Sequence, residues 1–358
     1  MLTYKLHLIQ GLFFEVLSFW EDKEYTIKFY ERRGQENNLI YQTSLKSGMW
    51  SKIPKRYMSD YHIEIWDGDI LKEDISLKDH LKGKRVFISL ESKSLGDTIA
   101  WIPYCEEFRK TYECEVVVSS FLNHLFEKEY PSLEFVGRGV VVENIVAMIE
   151  LGWFYDKDKE PTHPATIPLQ QAATNILGLE YKEVLPKLNF TPKKRPLESK
   201  YVCIATHSTS GLKYWSYWQE VIDYLLYNGY KVVEISKDDT DYKSLIEVKD
   251  KSIPSIMNYL YHCEFYIGLS SGLSWLAWAL EKKVIMIANF STKDHEFQGN
   301  CTRIVDESIC HGCWNDPLFK FNKGDWYWCP RHEDTPRHFE CHKLIKANKV
   351  IEAIEQLN

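Results

Sequence analysis

The chain has 358 residues, of which 44% are hydrophobic and 27% are charged, a balance typical of a soluble globular protein of two or more domains. Its net charge of −7 argues against nucleic-acid binding as the main role, because phosphate backbones attract basic surfaces. No apolar run approaches the ~20 residues that a membrane span needs, and residues 1–8 lack the layout of a signal peptide. We therefore expect a cytoplasmic protein without stable membrane insertion.

Residues 1–80 are predicted to be all-β. They contain short runs rich in β-branched and aromatic residues, several with period-two alternation, separated by turn or charged clusters. The runs lie at residues 13–17, 25–30, 39–43 and 61–66. We expect a small β-barrel or sandwich, with a structural role or a contact to another subunit.

From residue 81 onward predicted strands alternate with helices, which indicates βαβ units and mainly parallel sheets. A first Rossmann-type unit is expected over residues 81–194, with strands at 85–90, 115–119 and 135–143. A charged, proline-flanked segment around residue 194 predicts a boundary. A second unit is expected over residues 195–305, with strands at 201–206, 230–236, 264–268 and 283–288. Residues 343–358 have the apolar spacing of an amphipathic helix that packs on one of the units.

Gly96, Asp97 and Thr98 lie on the predicted turn between the strand at 85–90 and a helix. In an open α/β sheet this turn is at the carboxyl end of the strand, where ligands bind. Gly96 allows a tight turn, and Asp97 can direct its carboxylate into the site. The alternative is that Asp97 only caps the helix, as Asp often does, and the turn alone leaves both interpretations open.

Two later turns carry groups suited to phosphate. The loop over residues 206–213 combines hydroxyl side chains and Gly211 with Lys213, whose ammonium supplies the charge that phosphates attract, although it lacks Walker spacing. The turn over residues 268–274 opens a helix, whose N-terminus offers N–H donors and a positive dipole end. The alternatives are a polar surface loop with a solvated lysine and a serine-capped helix. We expect the segments around 97, 213 and 271 to converge on one ligand across a groove between the two Rossmann-type units.

Four cysteines form the most specific pattern in the chain. Cys310 and Cys313 are a C-x2-C pair, Cys329 follows after 15 residues, and Cys341 follows after 11 more. In a cytosolic protein this spacing favours a metal site over disulfides. Four thiolates would close a tetrahedral site, so the metal would be structural; iron and zinc both suit thiolates. We therefore predict a metal-binding finger over residues 306–342, with four unrelated thiols as the alternative.

Residues 94–104, the loop over 207–215, the turn over 268–274 and the cysteine quartet, in this order, resemble the bacterial autotransporter heptosyltransferases, the TibC-like protein O-heptosyltransferases. The resemblance covers essentially the whole chain. It implies a GT-B architecture preceded by a small β-barrel. It also implies transfer of heptose from ADP-heptose to serine hydroxyls of an autotransporter passenger protein, by a ring-like homo-oligomer, a dodecamer.

The resemblance also assigns roles by position. It makes Asp97 the general base and places Lys213 on the donor diphosphate, and it implies one structural iron ion (Fe3+) held by the four cysteines, with zinc as the alternative. The other expected donor-binding residues are Thr98, Thr206, Ser208, Thr209, Ser271, Gly272 and Leu273. Many heptosyltransferases carry an acidic residue where Ser270 stands here, which is a departure from the pattern.

Two other functions remain open from the sequence. One is a GT-B glycosyltransferase that uses another nucleotide sugar and a glycan or lipid acceptor. The other is a non-catalytic, metal-dependent assembly scaffold with a degenerate transferase fold, which would not bind nucleotides.

Overall fold

The structure is a computed structural model that describes residues 3–17, 23–33, 36–156, 162–208, 210–322 and 324–357. The chain divides into two compact units. Unit 1 comprises Met1–Lys93, Trp101–Thr162 and Gln171–Lys182, and unit 2 comprises Ser94–Ala100, His163–Gln170 and Glu183–Asn358. Among the described residues, none of the helices combines the length and the apolar character that spanning a membrane requires.

The strands up to residue 151 belong to unit 1. They are β1 (Tyr4–Ile9), β2 (Leu12–Val16), β3 (Tyr25–Arg33), β4 (Glu36–Leu45), β5 (Trp50–Ile53), β6 (Tyr61–Asp67), β7 (Ile70–Ser76), β8 (Arg85–Leu90), β9 (Glu115–Ser119), β10 (Glu134–Val136) and β11 (Ile145–Leu151). The helices up to residue 177 are α1 (Leu77–Leu81), α2 (Leu95–Tyr112) and α3 (Leu169–Leu177), with short 3₁₀ helices at Asn123–Leu125 and Pro164–Thr166. The segments Ser94–Ala100 and His163–Gln170 belong to unit 2.

A seven-stranded sheet forms the centre of unit 1, in the order β10-β9-β8-β11-β1-β2-β5. The strands from β10 to β1 pair in parallel, and β2 and β5 add an antiparallel edge. The second sheet is antiparallel, in the order β4-β3-β6-β7. The predicted small β-barrel or sandwich over residues 1–80 is therefore not confirmed. The first strands divide between two sheets, because Leu8 pairs with Ala147 and draws β1 into the parallel sheet.

The strands of unit 2 form one parallel sheet in the order β14-β13-β12-β15-β16-β17. Its strands are β12 (Tyr201–Ala205), β13 (Lys231–Glu234), β14 (Ile246–Glu247), β15 (Tyr266–Leu269), β16 (Val284–Ile287) and β17 (Cys301–Ile304). Its helices are α4 (Trp218–Tyr227), α5 (Ile253–His262), α6 (Gly272–Ala279), α7 (Glu340–Lys343) and α8 (Ala347–Glu355), with 3₁₀ helices at Gly211–Lys213 and Cys313–Asn315. The central strands β12, β15 and β16 are buried along their whole length, as parallel strands covered on both faces must be.

The core of unit 2 packs α4 and α8 against this sheet. Trp218 and Leu225 from α4 and Val350 and Ile354 from α8 are at most 1% exposed. The predicted amphipathic helix at the end of the chain is confirmed, since its apolar side belongs to this core. The resulting fold is a mixed α/β fold with a mainly parallel sheet in unit 1 and a parallel sheet in unit 2.

Candidate functional site

The turn that contains Asp97 is the start of α2. The Asp97 N–H donates to Ser94 Oγ at 3.4 Å, and Thr98 Oγ1 donates to the Ser94 carbonyl oxygen at 2.9 Å. Ser94 therefore supplies the oxygen that caps this helix, and the interpretation of Asp97 as the cap residue is wrong. Asp97 lies half-buried in the first turn, whereas Thr98 is fully buried.

The N-terminal ends of helices α2 and α6 pack against each other at Gly96 and Gly272. A Cβ added at Gly272 would lie 3.0 Å from Leu95 Cβ and 3.1 Å from the Gly96 nitrogen. A Cβ added at Gly96 would lie 3.1 Å from Trp275 Cδ1. A side chain at either position would force these neighbours to move by a few tenths of an ångström, so glycine suits both positions. All of these residues belong to unit 2. Asp97 follows Gly96 directly, so the predicted base lies beside the N-terminus of α6.

Lys213 reaches the same helix start from a different loop. Its Nζ donates to the Ser270 carbonyl oxygen at 2.9 Å, two residues before α6 begins. The ammonium also lies 4.7 Å from the ring centroid of Phe290 and 5.9 Å from that of Trp314. The structure thus brings the three predicted segments together at the N-terminus of α6, within one unit.

The hydroxyl residues around this point differ in their hydrogen bonding. Thr206 is buried with Oγ1 2.8 Å from His207 Nδ1, and Ser208 is half-buried. Ser210 Oγ and Ser271 Oγ are buried and have no hydrogen-bond partner among the described residues. The Ser271 hydroxyl, at the start of α6, and the Ser210 hydroxyl, in the loop that carries Lys213, therefore retain hydrogen-bonding capacity for a ligand. The predicted residue Thr209 lies outside the described residues. Leu273 lies in the first turn of α6.

Glu234 is a buried carboxyl group that sequence reasoning missed. It ends β13 at 1% exposure, and its Oε1 accepts from the N–H groups of Ser236 at 2.8 Å and Thr206 at 3.4 Å. Its Oε2 has no partner among the described residues. Burial raises the pKa of Glu234, against the opposing hydrogen bonds. The side chain ties the carboxyl ends of β12 and β13 together beneath the loop that carries Lys213.

Glu296 supplies a second buried carboxylate, behind Ser270. Ser270 Oγ donates to Glu296, and Ser291 Oγ lies 3.1 Å from Glu296 Oε1. Arg303 forms an ion pair with Glu296, and the two side chains are 7% and 3% exposed. Burial by itself would raise the pKa of Glu296, but the charge of Arg303 and the hydrogen bond from Ser270 hold it at about 2. The turn over residues 268–274 contains no acidic residue of its own, but Glu296, from the loop after β16, contacts Ser270.

The four cysteines of the Cys-rich segment (residues 306–342) are unpaired thiols. Cys313, Cys329 and Cys341 are 4–5% exposed, and Cys310 is half-buried. Burial and then the three neighbouring thiols raise the pKa of Cys341, and burial raises the pKa of Cys313 to about 12. Four soft donors within reach of one another fit a thiolate-bound ion by chemistry. Their side chains are not set in ligand geometry, since no group of three or more metal-binding side chains is found in the part of the chain that the structure describes.

This arrangement suits an anionic ligand that must be held and activated. The N-terminus of α6 and Lys213 provide donors and positive charge for a diphosphate, and Asp97 lies in the first turn of the adjoining helix α2. Sequence reasoning missed Glu234, Glu296 and Arg303. A lone carboxylate within the apolar run of β13 was the available signal for Glu234, whereas nothing in the sequence pairs Glu296 with Arg303.

No protein-family model matches the chain. The chain is 31% identical over 347 residues to the autotransporter heptosyltransferase Aah of Escherichia coli, covering 90% of this chain and 87% of that protein. It is 30% identical over 293 residues to a protein named inactive autotransporter heptosyltransferase BimC, of Burkholderia thailandensis, covering 77% of this chain and 69% of that protein.

The chain also resembles the crystal structure of TibC from enterotoxigenic E. coli H10407, described as a bacterial iron-containing dodecameric glycosyltransferase. The TM-score is 0.84 at 29% identity, covering 99% of this chain and 95% of that chain. TibC in complex with ADP-D-beta-D-heptose gives a TM-score of 0.85 at the same identity and coverage.

Proposed function

Because the chain belongs to the autotransporter heptosyltransferase family, we propose that it is a glycosyltransferase that moves a heptose from ADP-heptose to serine hydroxyls of an autotransporter passenger protein. The observation that carries the proposal is the meeting of three segments at the N-terminus of α6. Asp97 follows the Gly96–Gly272 contact, and Lys213 is bonded to Ser270 in the same turn. A carboxylate, an ammonium and a helix N-terminus are the groups that such a transfer needs.

The donor diphosphate binds at the start of α6. Its oxygens accept from the N–H groups around Ser271, Gly272 and Leu273, where the helix dipole is positive. Lys213 adds a point charge on the same side. These groups stabilise the negative charge that develops as ADP departs, and such preorganised electrostatic stabilisation is often the largest catalytic contribution.

Asp97 acts as the general base. As the acceptor serine Oγ attacks the anomeric carbon, the bond from that carbon to the diphosphate oxygen breaks and Asp97 takes the hydroxyl proton. A base positioned in this way contributes about 10²–10⁴-fold to the rate. The products are the O-heptosylated serine, ADP and the protonated carboxyl group of Asp97.

The Cys-rich segment has a structural part in this proposal. Cys310, Cys313, Cys329 and Cys341 would hold one iron ion, with zinc as the alternative occupant, and the bound ion would supply a cross-link that orders the segment. TibC is described as iron-containing and dodecameric, which supports the same ion and a homo-oligomer here. A cytoplasmic location stays a prediction.

The test is transfer by Asp97→Asn. This variant keeps the size of the side chain and should lose about 10²–10⁴-fold in turnover. Its affinity for ADP should not fall, because Lys213 and the N–H groups of α6, which hold the diphosphate, are unchanged. The matched control is Glu107→Gln, which removes an exposed acid paired with Lys110 further along α2. Near-normal turnover of Asp97→Asn would contradict the role of the base.

A panel of nucleotide sugars tests the substrate. Turnover with ADP-heptose and a passenger protein supports the proposal. Turnover only with a different nucleotide sugar and a glycan or lipid acceptor would instead support the alternative, a GT-B glycosyltransferase with other substrates. Since BimC is named inactive, the scaffold alternative is tested directly: it requires that ADP produce no thermal shift.

A further inference from the structure

We propose that Trp314 and Phe290 are positioning residues for Lys213, so that the Cys-rich segment forms a wall of the donor site. The inference rests on the proposed role of Lys213 at the donor diphosphate. Phe290 follows β16, whereas Trp314 lies on the 3₁₀ helix next to Cys313. Their rings lie 5.4 Å apart at an interplanar angle of 42°, and both are within 6 Å of the Lys213 ammonium.

The type of partner matters for a lysine that must bind an anion. A carboxylate would hold the ammonium but would cancel its charge. An aromatic face attracts a cation through its quadrupole, and the Ser270 carbonyl oxygen accepts one N–H at 2.9 Å; neither neutralises the charge. Glu296, the buried carboxylate behind Ser270, is already paired with Arg303. The carbonyl and ring contacts therefore fix the position of the Lys213 ammonium without opposing its positive charge.

The two rings are themselves held by several contacts. Trp314 Nε1 donates to His295 Nε2 at 2.9 Å, and the Trp314 N–H donates to the Phe290 carbonyl oxygen at 3.2 Å. Phe321 makes T-shaped contacts with both rings. His295 is 5% exposed, so this anchor is shielded from water. The orientation of the rings is thus fixed before any ligand binds.

The Cys-rich segment also touches the loop that carries Lys213 on two further sides. Leu212, the residue before Lys213, belongs to the buried cluster of Phe290, Cys313, Trp328 and Cys341. A Cβ at Gly211 would lie 2.6 Å from the Trp326 carbonyl oxygen and 2.8 Å from Trp326 Nε1, so Gly211 permits close packing there. The loop from Gly211 to Lys213 is therefore packed against the Cys-rich segment as well as against its own sheet.

The experiment measures ADP affinity and the kinetics of transfer in Trp314→Leu, Trp314→Phe and Phe290→Leu. Loss of one cation–aromatic contact should weaken ADP binding by about 3- to 30-fold. The KM for the donor should rise by a similar factor with kcat nearly unchanged, because Lys213 still reaches the diphosphate once the donor is bound. Trp314→Phe, which keeps an aromatic face, should recover most of the affinity. Tyr327→Leu is the matched control, since Tyr327 is 64% exposed on the same segment.

A double-mutant cycle with Lys213→Met separates positioning from general damage to the fold. If Trp314 acts through Lys213, adding Trp314→Leu to Lys213→Met should change ADP affinity by less than about twofold, since contacting residues are not additive. An equal loss in both backgrounds, or Trp314→Leu and Phe290→Leu proteins that bind ADP as tightly as the parent, would overturn the inference. If Lys213→Met alone left ADP affinity unchanged, the proposed donor site would fail together with it.

Discussion

The substitution Glu296→Gln tests the buried ion pair behind the donor turn. The Glu296 and Arg303 side chains are 3% and 7% exposed, so the variant leaves a buried guanidinium without its counter-charge. Removing one partner of such a pair typically destabilises a protein by about 3–5 kcal/mol. The lowered pKa of Glu296 gives an independent value for the stabilisation by its ionised carboxylate. It lies at about 2 instead of 4.5, and a tenfold change in proton affinity corresponds to about 1.4 kcal/mol, so the ionised carboxylate contributes about 3 kcal/mol.

The sign of the pH dependence follows from the direction of this pKa. Because the pKa is lower in the folded protein than in the unfolded chain, the contribution is complete above about pH 4.5 and disappears as the pH falls towards 2. The parent protein should therefore lose more stability than Glu296→Gln over this interval. At neutral pH the variant should unfold at a temperature about 6–20 °C below the parent, for a unit of this size.

The assay is thermal and urea unfolding followed by tryptophan fluorescence at pH 7 and at stepped acid pH. Arg303→Met added to Glu296→Gln should recover at least half of the loss, because the uncompensated charge is gone. Glu107→Gln, which breaks an exposed pair with Lys110, should change stability by less than about 1 kcal/mol. A Glu296→Gln protein within about 1 kcal/mol of the parent at pH 7, with the same acid profile, would refute the reasoning.

Two other substitutions address the helix contact and the thiols. Gly272→Ala should destabilise unit 2 by about 1–3 kcal/mol and lower the transfer rate, because its Cβ would meet Leu95 Cβ at 3.0 Å and displace the start of α2. The control in unfolding and rate assays is Gly137→Ala, whose Cβ makes only an ordinary 3.7 Å contact. Cys313→Ser should reduce the bound metal measured by elemental analysis and lower stability, because structural metal binding stabilises the folded state. Full metal content and an unchanged oligomer on size-exclusion chromatography would argue against the four-cysteine site.

The sequence predicted the fold best where burial alone determines structure. The apolar runs of β12, β13, β15 and β16 are strands buried on both faces, and hydrophobicity identifies such strands directly. β11 was missed, because Ile145–Leu151 contains Ala, Met and Glu, which favour helices, and only its pairing with β1 and β8 makes it a strand.

The sequence likewise predicted only those site residues that lie in a segment with a local signature. The turns around Asp97, Lys213 and Ser271 were found because strand-to-helix turns rich in glycine and hydroxyl residues have a local signature. Glu296 and Arg303 have none, since each is an ordinary charged residue until the fold buries both together. The ring of Trp314 was one of 12 tryptophans, and only its distance from Lys213 distinguishes it from the others.

The parallel pairing of β1 with β11 has a consequence for synthesis of the chain. Leu8 meets a partner, Ala147, that is about 140 residues away. At a translation rate of about 5–20 residues per second, β1 waits roughly 7–30 s on the ribosome before β11 is made. During that interval the β1–β2 ribbon exposes side chains such as Leu8 and Phe14, which are fully buried in the finished protein. The nascent chain should therefore recruit chaperones until about residue 150 has emerged.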